Sequence, residues 1–408
     1  MKKILLASCL MATTMVFAQW GGPQSTGGVP NTDKTADVNY AGDGKAHHTL
    51  DIYIPKEAKE SYPVVIHTYG SAWSMNNMKG SADLNTICAA YAKAGYAVVT
   101  PNHRSASDAI YPAQLHDIKA VVRFVRGNAA KYKFDTTFIA VSGFSSGGHL
   151  SSLTATTCGL KEGKSGSVTV DLVGDLGEFT SYSSCVDGAV LWSPPTDIYT
   201  MNPISMGGSG TMEGKFIGVE REGNKDKWMV ASSPYYASED DPPVIIFHGT
   251  SDQVVNIEQS QELYDSLKNH NVVTEFVKVS GGQHGGDVMY ASANLDKAVE
   301  FLDKAREAKA AAAIVVPPDT TVQDTSKQDT SVIDTSKTDS LPPDTQSIAI
   351  PSLRVPMLAP VSYSVYSLDG TLVSRSSVLN KQALRPGVYY VVSKYSTGER
   401  KMFRIVKK

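Results

Sequence analysis

The fold is decided by residues 138–150, which read FIAVSGFSSGGHL. The stretch opens with four apolar residues, typical of a strand buried on both faces of a sheet. It continues with Gly143-Phe144-Ser145-Ser146-Gly147 and then with residues that open a helix. The flanking glycines permit a sharp turn from strand to helix that leaves the side chain of Ser145 free. An ordinary turn without any chemistry is the alternative.

The same pattern extends along the chain on both sides of this turn. Short apolar runs rich in β-branched residues recur, and stretches of helical character separate them. The runs are residues 50–54, 64–67, 97–100, 189–192, 244–247 and 274–279, and the helical stretches include 117–128 and 256–269. Strands that alternate with helices predict an α/β fold, with a mostly parallel sheet covered by helices on both faces.

Two further polar residues, Asp252 and His284, each come a few positions after one of the last two runs. Because the carboxyl ends of parallel strands share one edge of a sheet, we expect Ser145, Asp252 and His284 to meet there. A serine hydroxyl is a weak nucleophile and needs a histidine base that a carboxylate holds in place. The order Ser, Asp, His therefore predicts a catalytic triad. Ser146 is a weaker candidate nucleophile, because it lacks the glycine two positions before it.

A triad of this kind also needs backbone N–H groups aimed at the oxygen that becomes negatively charged. The segment 69–73, YGSAW, follows a predicted strand and has the small residues that such a loop requires. We expect the N–H of Ser71 or Ala72, together with that of Ser146, to form this oxyanion hole. An ordinary tight turn is the alternative.

The remaining polar residues indicate structural roles. His248 lies too near Asp252 in sequence to act as its partner, and His149 lies on the helix after the serine turn. Asp117 is expected to cap a helix, and Asp197 either caps a loop or contacts substrate. The histidines form no cluster with metal-ligand spacing, so we expect no metal.

Residues 40–301 resemble the α/β-hydrolase esterases related to hormone-sensitive lipase, and among them the bacterial acetyl xylan and feruloyl esterases. The matching stretches are LDIYIP at 50–55, PAQLHDIKA at 112–120, SSGGHL at 145–150, SPPTD at 193–197 and DPP at 241–243. The resemblance implies the triad Ser145, Asp252 and His284. It also implies hydrolysis of acetyl or feruloyl esters on plant polysaccharide such as xylan, without a cofactor. Many relatives carry His-Gly-Gly-Gly-Trp where this chain has residues 69–73, and backbone donors survive that change.

Three other functions remain open from the sequence. A serine peptidase could use the same triad, although such enzymes usually carry a large extra domain. A lipase would need a broad apolar lid, whereas the Gly-rich insertion 159–184 is polar. A non-catalytic carbohydrate-binding or surface protein could keep the fold, although the intact triad residues argue against it.

The first 18 residues have the features of an export signal. Lys2 and Lys3 precede a mostly apolar run over residues 4–17, and small residues lead to a cleavage position after Ala18. The run is too short to span a bilayer, and no other segment looks transmembrane. We therefore expect the mature protein to be secreted. A lipoprotein-like box ending at Cys9 is the weaker alternative, because the apolar run continues past it.

Three cysteines follow this signal, namely Cys88, Cys158 and Cys185. Outside the cytoplasm disulfides form, and a Cys158–Cys185 bond would close the Gly-rich insertion. Three buried thiols are the alternative. Across all 408 residues, 41% are hydrophobic and the formal net charge is −3, so a sizeable core is possible and no nucleic-acid partner is indicated.

The composition changes sharply near residue 314, which ends the expected catalytic domain at 19–313. Residues 314–350 are dominated by Asp, Thr and Ser and repeat DTSK ten positions apart, so we expect a disordered linker. Residues 351–408 predict a small all-β module, in which ten Lys and Arg against two acidic residues give a net charge of +8. The module resembles terminal modules that sort secreted enzymes through a type IX-like route in Gram-negative bacteria. Attachment to anionic surface polymers, or a purely structural tail, is the alternative.

Overall fold

The computed structural model describes residues 27–80, 83–204 and 210–314, together with four strands near the C-terminus. The expected export signal and all but the first residue of the expected linker lie outside these described residues. The chain divides into two compact units, residues 1–321 and 322–408. Within the part of the chain that the structure describes, no helix is both long and apolar enough to cross a membrane.

An eight-stranded sheet forms the centre of the larger unit. In chain order its strands are β1 (Thr32–Asn39), β2 (Thr49–Pro55), β3 (Tyr62–Thr68), β4 (Ala97–Pro101), β5 (Phe134–Phe144), β8 (Gly188–Trp192), β9 (Val244–Gly249) and β10 (Thr274–Val279), and a separate hairpin contains β6 (Glu162–Ser165) and β7 (Val168–Asp171). The order across the sheet is β1-β2-β4-β3-β5-β8-β9-β10. The β1–β2 and β2–β4 pairs are antiparallel and the others are parallel, which confirms the predicted, mostly parallel sheet.

Helices cover both faces of this sheet. They are α1 (Ile87–Lys93), α2 (Ala113–Gly127), α3 (Ala129–Tyr132), α4 (Ser146–Thr156), α5 (Met212–Ile217), α6 (Lys225–Met229), α7 (Glu258–Asn269) and α8 (Ser292–Ile314). Successive side chains of a strand point to opposite faces. Val64 and Ile66 of β3 therefore pack in one core cluster with residues of α2 and α7, whereas Val65 packs in a second cluster with residues of α1 and α8.

Helix α2 begins four residues before the predicted start, and this corrects the role of Asp117. The Asp117 side chain is fully buried, and its carboxylate accepts hydrogen bonds from Nη2 of Arg104 at 2.6 Å and from the Arg104 backbone N–H at 2.7 Å. The prediction that Asp117 caps a helix is therefore wrong. A carboxylate placed inside a helix is buried only when it has a cation and donors around it, as it does here.

The Gly-rich insertion is closed by a disulfide. Cys158 and Cys185 are bonded, as predicted, across 27 positions of sequence, and the insertion between them contains the β6–β7 hairpin. Cys88 is a buried free thiol on α1. Arg126 of α2 donates to the carbonyl oxygen of Cys185 at 2.7 Å, which anchors the end of the insertion to the main unit.

The smaller unit contains β11 (Ser362–Ser367), β12 (Leu372–Ser376), β13 (Gly387–Lys394) and β14 (Arg400–Lys407). They form an antiparallel sheet in the order β12-β11-β13-β14. All four strands lie within residues 351–408, for which the sequence predicts a small all-β module. The rest of the expected module lies outside the described residues.

Candidate active site

The turn from β5 to α4 holds Ser145 in a strained conformation. Its φ is 53°, a left-handed value that costs a non-glycine residue about 1–3 kcal/mol. Two hydrogen bonds hold it there: the Ser145 N–H donates to the carbonyl oxygen of Trp192 at 2.9 Å, and the His149 N–H donates to the carbonyl oxygen of Ser145 at 3.0 Å. The serine side chain therefore stands out from the tip of the turn, at the carboxyl end of a central strand.

Three glycines allow β3, β5 and α4 to approach each other at this turn. A Cβ on Gly143 would overlap the backbone of Gly147, and a Cβ on Gly147 would overlap the carbonyl oxygen of Thr68. A Cβ on Gly70 would lie 2.8 Å from the Cβ of Ser145. The glycines of the Gly-x-Ser-x-Gly pattern are thus a steric requirement of the turn.

The structure brings the three predicted triad residues together. The Ser145 hydroxyl donates to Nε2 of His284 at 2.9 Å, and Nδ1–H of His284 donates to Oδ2 of Asp252 at 2.8 Å. This chain of bonds requires the imidazole tautomer with its proton on Nδ1. Ser145 is 6% exposed and His284 is 5% exposed, so both are shielded but reachable from solvent. The Phe144 ring packs against the imidazole, with ring centroids 4.9 Å apart.

Asp252 is a fully buried carboxylate with several donors. Its Oδ1 accepts hydrogen bonds from the backbone N–H groups of Val254 and Val255, both at 2.9 Å. Burial raises the pKa of Asp252, but the hydrogen bonds with His248 and His284 outweigh it and hold this pKa well below its ordinary range. The group therefore stays negatively charged beside His284.

His248 corrects the sequence prediction that it lies too near Asp252 to be its partner. Its Nε2 is 3.3 Å from Oδ2 of Asp252 and donates to the carbonyl oxygen of Val255 at 2.9 Å, while its Nδ1 is 2.6 Å from the hydroxyl of Ser260. The chain turns back immediately after β9, so four positions of sequence suffice to bring the two side chains together. Only the position of His248 at the end of a strand, directly before this turn, could have indicated the contact.

The three candidate oxyanion donors differ in whether their backbone N–H groups already have an acceptor. The N–H of Ser71 donates to the hydroxyl of Ser146 at 2.9 Å, so the expectation that Ser71 serves the oxyanion is not met in this structure. Among the described residues, the N–H of Ala72 donates to no acceptor. Ser146 is the first residue of α4, so its N–H has no partner within the helix. Of the three predicted donors, the N–H groups of Ala72 and Ser146 therefore remain the candidates, and the helix N-terminus adds a positive dipole.

The other sequence candidates lie apart from this centre. Asp197 caps its loop, because its Oδ1 accepts from the N–H of Tyr199 at 2.9 Å and of Thr200 at 3.3 Å. His149 is buried on α4 and bonds to Trp73 and to the carbonyl oxygen of Ala231. Within the described ranges, no group of three or more His, Cys, Asp or Glu residues is arranged to hold a metal ion.

Comparison with known protein families agrees with this geometry. A family model for BD-FAE matches residues 50–267, which is more than half of the 408 residues. The chain belongs to the BD-FAE family. The match includes Ser145 and Asp252 and ends before His284.

Two solved structures are similar to this BD-FAE chain. One, described as a truncated form of carbohydrate esterase from gut microbiota, is 40% identical with a TM-score of 0.66, and the match covers 69% of this chain and all of that one. The other, a bifunctional GH43-CE from Bacteroides eggerthii, is 42% identical with a TM-score of 0.64, and the match covers 67% of this chain and 35% of that one. With the sheet order above, these similarities identify the fold as an α/β-hydrolase.

A curated relative is more distant. The Mycobacterium tuberculosis protein named "Probable carboxylic ester hydrolase LipM" is 27% identical over 238 residues, which is 57% of this chain and 51% of the relative. The chain thus spans about half the length of this curated relative.

Proposed function

We propose that this BD-FAE protein is a serine esterase, that is, a carboxylic-ester hydrolase with Ser145 as nucleophile. The observation that carries the proposal is the continuous hydrogen-bonded chain from the Ser145 hydroxyl through His284 to the buried Asp252 carboxylate. The esterases among its relatives support the same reaction class.

The first half of the reaction forms an acyl-enzyme. Ser145 Oγ attacks the ester carbonyl carbon as its proton passes to Nε2 of His284. The negative charge of Asp252 stabilises the resulting imidazolium and keeps its ring in position. The carbonyl oxygen becomes an oxyanion beside the N–H groups of Ala72 and Ser146. The imidazolium then gives its proton to the alcohol oxygen as the ester C–O bond breaks.

The second half releases the acid. A water molecule takes the place of the departed alcohol and gives a proton to His284 as its oxygen attacks the acyl carbon. The same two backbone donors stabilise the second oxyanion. When that intermediate collapses, the bond from Ser145 Oγ to the acyl carbon breaks and His284 returns the proton to the serine.

For the substrate, we propose an acetyl or feruloyl ester on a plant cell-wall polysaccharide such as xylan. Support comes from the two solved relatives, one described as a carbohydrate esterase and the other as a bifunctional GH43-CE. The sequence resemblance to acetyl xylan and feruloyl esterases points to the same class. The leaving alcohol is then a sugar hydroxyl, which needs the proton that His284 delivers.

Product release from acetylated xylan and from methyl ferulate tests this proposal, with wild type compared with Ser145→Ala. We expect release of acetate or ferulate by wild type and a loss of at least about 10³-fold in the variant. If neither acid is released but 4-nitrophenyl acetate is cleaved, the protein is an esterase and the proposed polysaccharide substrate is wrong. No cleavage of any of the three would reject the esterase.

We also propose that residues 1–18 direct export and that the basic module at 351–408 is read by secretion or surface-attachment machinery. Two predicted features support this: the apolar run after Lys2 and Lys3, and the net charge of +8 in the module, from ten basic and two acidic residues. N-terminal sequencing of protein recovered outside the cells should begin at Gln19. Recovery inside the cells with Met1 intact would contradict the export proposal.

A further inference from the structure

The loop that presents the Ala72 N–H is strained at two consecutive positions. Ala72 has a φ of 46° and Trp73 a φ of 56°, both in the left-handed region that non-glycine residues rarely adopt. Each such residue costs about 1–3 kcal/mol and persists only when the surroundings enforce it. Contacts with neighbouring elements must therefore hold this loop in place.

The loop is held on both sides of Ala72 by α4. On one side, the N–H of Ser71 donates to the hydroxyl of Ser146 at 2.9 Å. On the other side, the indole Nε1–H of Trp73 donates to Nδ1 of His149 at 3.2 Å. Ser146 and His149 are three positions apart on a helix, so they lie on one face of α4 and both meet the same loop.

His149 can accept this bond only as the neutral tautomer with its proton on Nε2. That tautomer is fixed because Nε2–H donates to the carbonyl oxygen of Ala231 at 2.8 Å. Burial lowers the pKa of His149 to about 4, so the ring is uncharged at neutral pH. An uncharged ring that is bonded at both nitrogens is a fixed support for the indole.

Packing fixes the indole as well. Trp73 is fully buried, its ring stacks on Phe216 with centroids 4.6 Å apart, and it meets the His149 ring edge-on at 5.3 Å. The indole cannot move without disturbing these contacts, so the backbone of residue 73 is fixed relative to α4. The same helix supplies the second oxyanion donor at its first residue.

We propose that Ser146 and His149 are positioning residues, which hold Ser71 and Trp73 so that the intervening Ala72 N–H points at the oxyanion. The inference rests on the serine esterase function proposed above. An oxyanion donor acts only when it lies about 2.7–3.1 Å from the oxygen that becomes charged. Loosening either support therefore weakens transition-state binding more than ground-state binding.

Trp73→Phe tests one support, and the chain offers a matched control in Trp228→Phe. Trp228 is in the same apolar cluster as Trp73, is 1% exposed, and its Nε1–H also donates at 3.2 Å, to the carbonyl oxygen of Val219. Both variants lose one indole hydrogen bond and the same ring volume. With 4-nitrophenyl acetate, we expect kcat to fall about 10- to 100-fold in Trp73→Phe, with KM changed less than about twofold. In Trp228→Phe, we expect kcat within about twofold of wild type, although its melting temperature should fall by about as much as that of Trp73→Phe.

A trifluoromethyl ketone separates positioning from general destabilisation, because it forms a tetrahedral oxyanion on a reactive serine. Its Kd should weaken in Trp73→Phe by about the same factor as kcat/KM, and stay unchanged in Trp228→Phe. Equal effects in the two tryptophan variants, or an unchanged kcat and Kd in Trp73→Phe, would overturn the proposal.

Two further variants decide the matter if Trp73→Phe does not fold. Ser146→Ala removes the hydroxyl that accepts from Ser71 but keeps the backbone N–H of residue 146, and we expect a fall in kcat of about tenfold at unchanged KM. His149→Leu should lower kcat as Trp73→Phe does. Where both fold, the double variant should be no slower than the slower single variant, since both substitutions remove the bond between Trp73 and His149. Unchanged kcat in Ser146→Ala and His149→Leu would contradict the proposal. Wild type that cleaves no ester would instead contradict the esterase function itself.

Discussion

At the scale of single residues, the candidate site contains two residues that the fold holds in unfavourable states. Ser145 has a left-handed backbone, and Asp252 is ionised although its side chain is fully buried. Backbone hydrogen bonds hold the Ser145 conformation, whereas the side chains of His248 and His284 keep Asp252 ionised. Sequence spacing predicted that Ser145, Asp252 and His284 meet. It did not predict the main-chain bonds or the contact with His248, because only the folded loops define where those groups lie.

Asp252→Asn tests the role of the buried carboxylate. Only the oxygen of the Asn amide can accept from Nδ1–H of His284. Its NH2 group donates instead to an unprotonated Nδ1, which favours the imidazole tautomer with its proton on Nε2. That tautomer cannot take the Ser145 proton. We expect kcat to fall about 10³- to 10⁴-fold while KM changes little. Steady-state kinetics with 4-nitrophenyl acetate measure both. A fall of less than tenfold would show that His284 does not depend on Asp252.

Glu213 on α5 gives a pH dependence of stability that is independent of catalysis. Burial raises its pKa from 4.5 to about 7, and its carboxylate accepts from the N–H of Ile204 at 3.1 Å. Because the folded pKa is above the unfolded one, the stability from this group is present below pH 4.5 and is lost as the pH rises to about 7. Glu213→Gln, which does not titrate, should gain up to about 3 kcal/mol of unfolding free energy relative to wild type over this range, at 1.36 kcal/mol per pKa unit.

Urea unfolding of both proteins between pH 4.5 and 8 measures this difference. The expected result is a gap between variant and wild type that widens with pH and becomes constant above about pH 7. A gap that does not change with pH would show that Glu213 is not titrating in this range.

At the scale of elements, most of the sheet could be predicted because its parallel strands are continuous apolar runs. Strand β1 was missed, because its sequence TDKTADVN is largely polar and exposed and it pairs only with β2 at the edge of the sheet. An edge strand has a partner on one side only and needs little apolar surface. The bond from Ser71 to Ser146 was missed for a different reason: its acceptor is a side chain 75 positions away.

The disulfide is the element that closes the insertion containing β6 and β7. Cys158 and Cys185 are 27 positions apart, and a loop of that length predicts a stabilisation of about 3.5 kcal/mol, because the bond restricts the unfolded chain. Replacing both cysteines by serine should lower the unfolding free energy by about that amount. Since no described residue of 159–184 hydrogen-bonds to the triad, kcat at 25 °C should stay within about twofold.

A reductant provides the control for this prediction. It should lower the melting temperature of wild type toward that of the double serine variant and leave the variant unchanged. If the reductant breaks the Cys158–Cys185 bond but the melting temperature of wild type does not change, the disulfide has no stabilising role.

At the scale of the whole molecule, the chain joins a BD-FAE α/β-hydrolase unit to a smaller antiparallel β unit. The division could be predicted from composition alone, because few apolar residues occur between residues 314 and 350 and a packed core needs them. The choice between the proposed acetyl and feruloyl esters could not be predicted. Substrate pockets are built largely from loops beyond the strands, whose paths depend on tertiary contacts rather than on periodicity.

The central claim, that Ser145 is the nucleophile of an esterase, is tested most directly by identifying which side chain a serine-directed covalent reagent modifies. A fluorophosphonate, which traps an activated serine covalently, is mixed with wild type, Ser145→Ala and Ser146→Ala, and the labelled peptide is sequenced by mass spectrometry. We predict one label per chain, on Ser145, in wild type and in Ser146→Ala, and no label in Ser145→Ala. A label on any other residue, or equal labelling of Ser145→Ala, would contradict the assignment of Ser145 as the nucleophile.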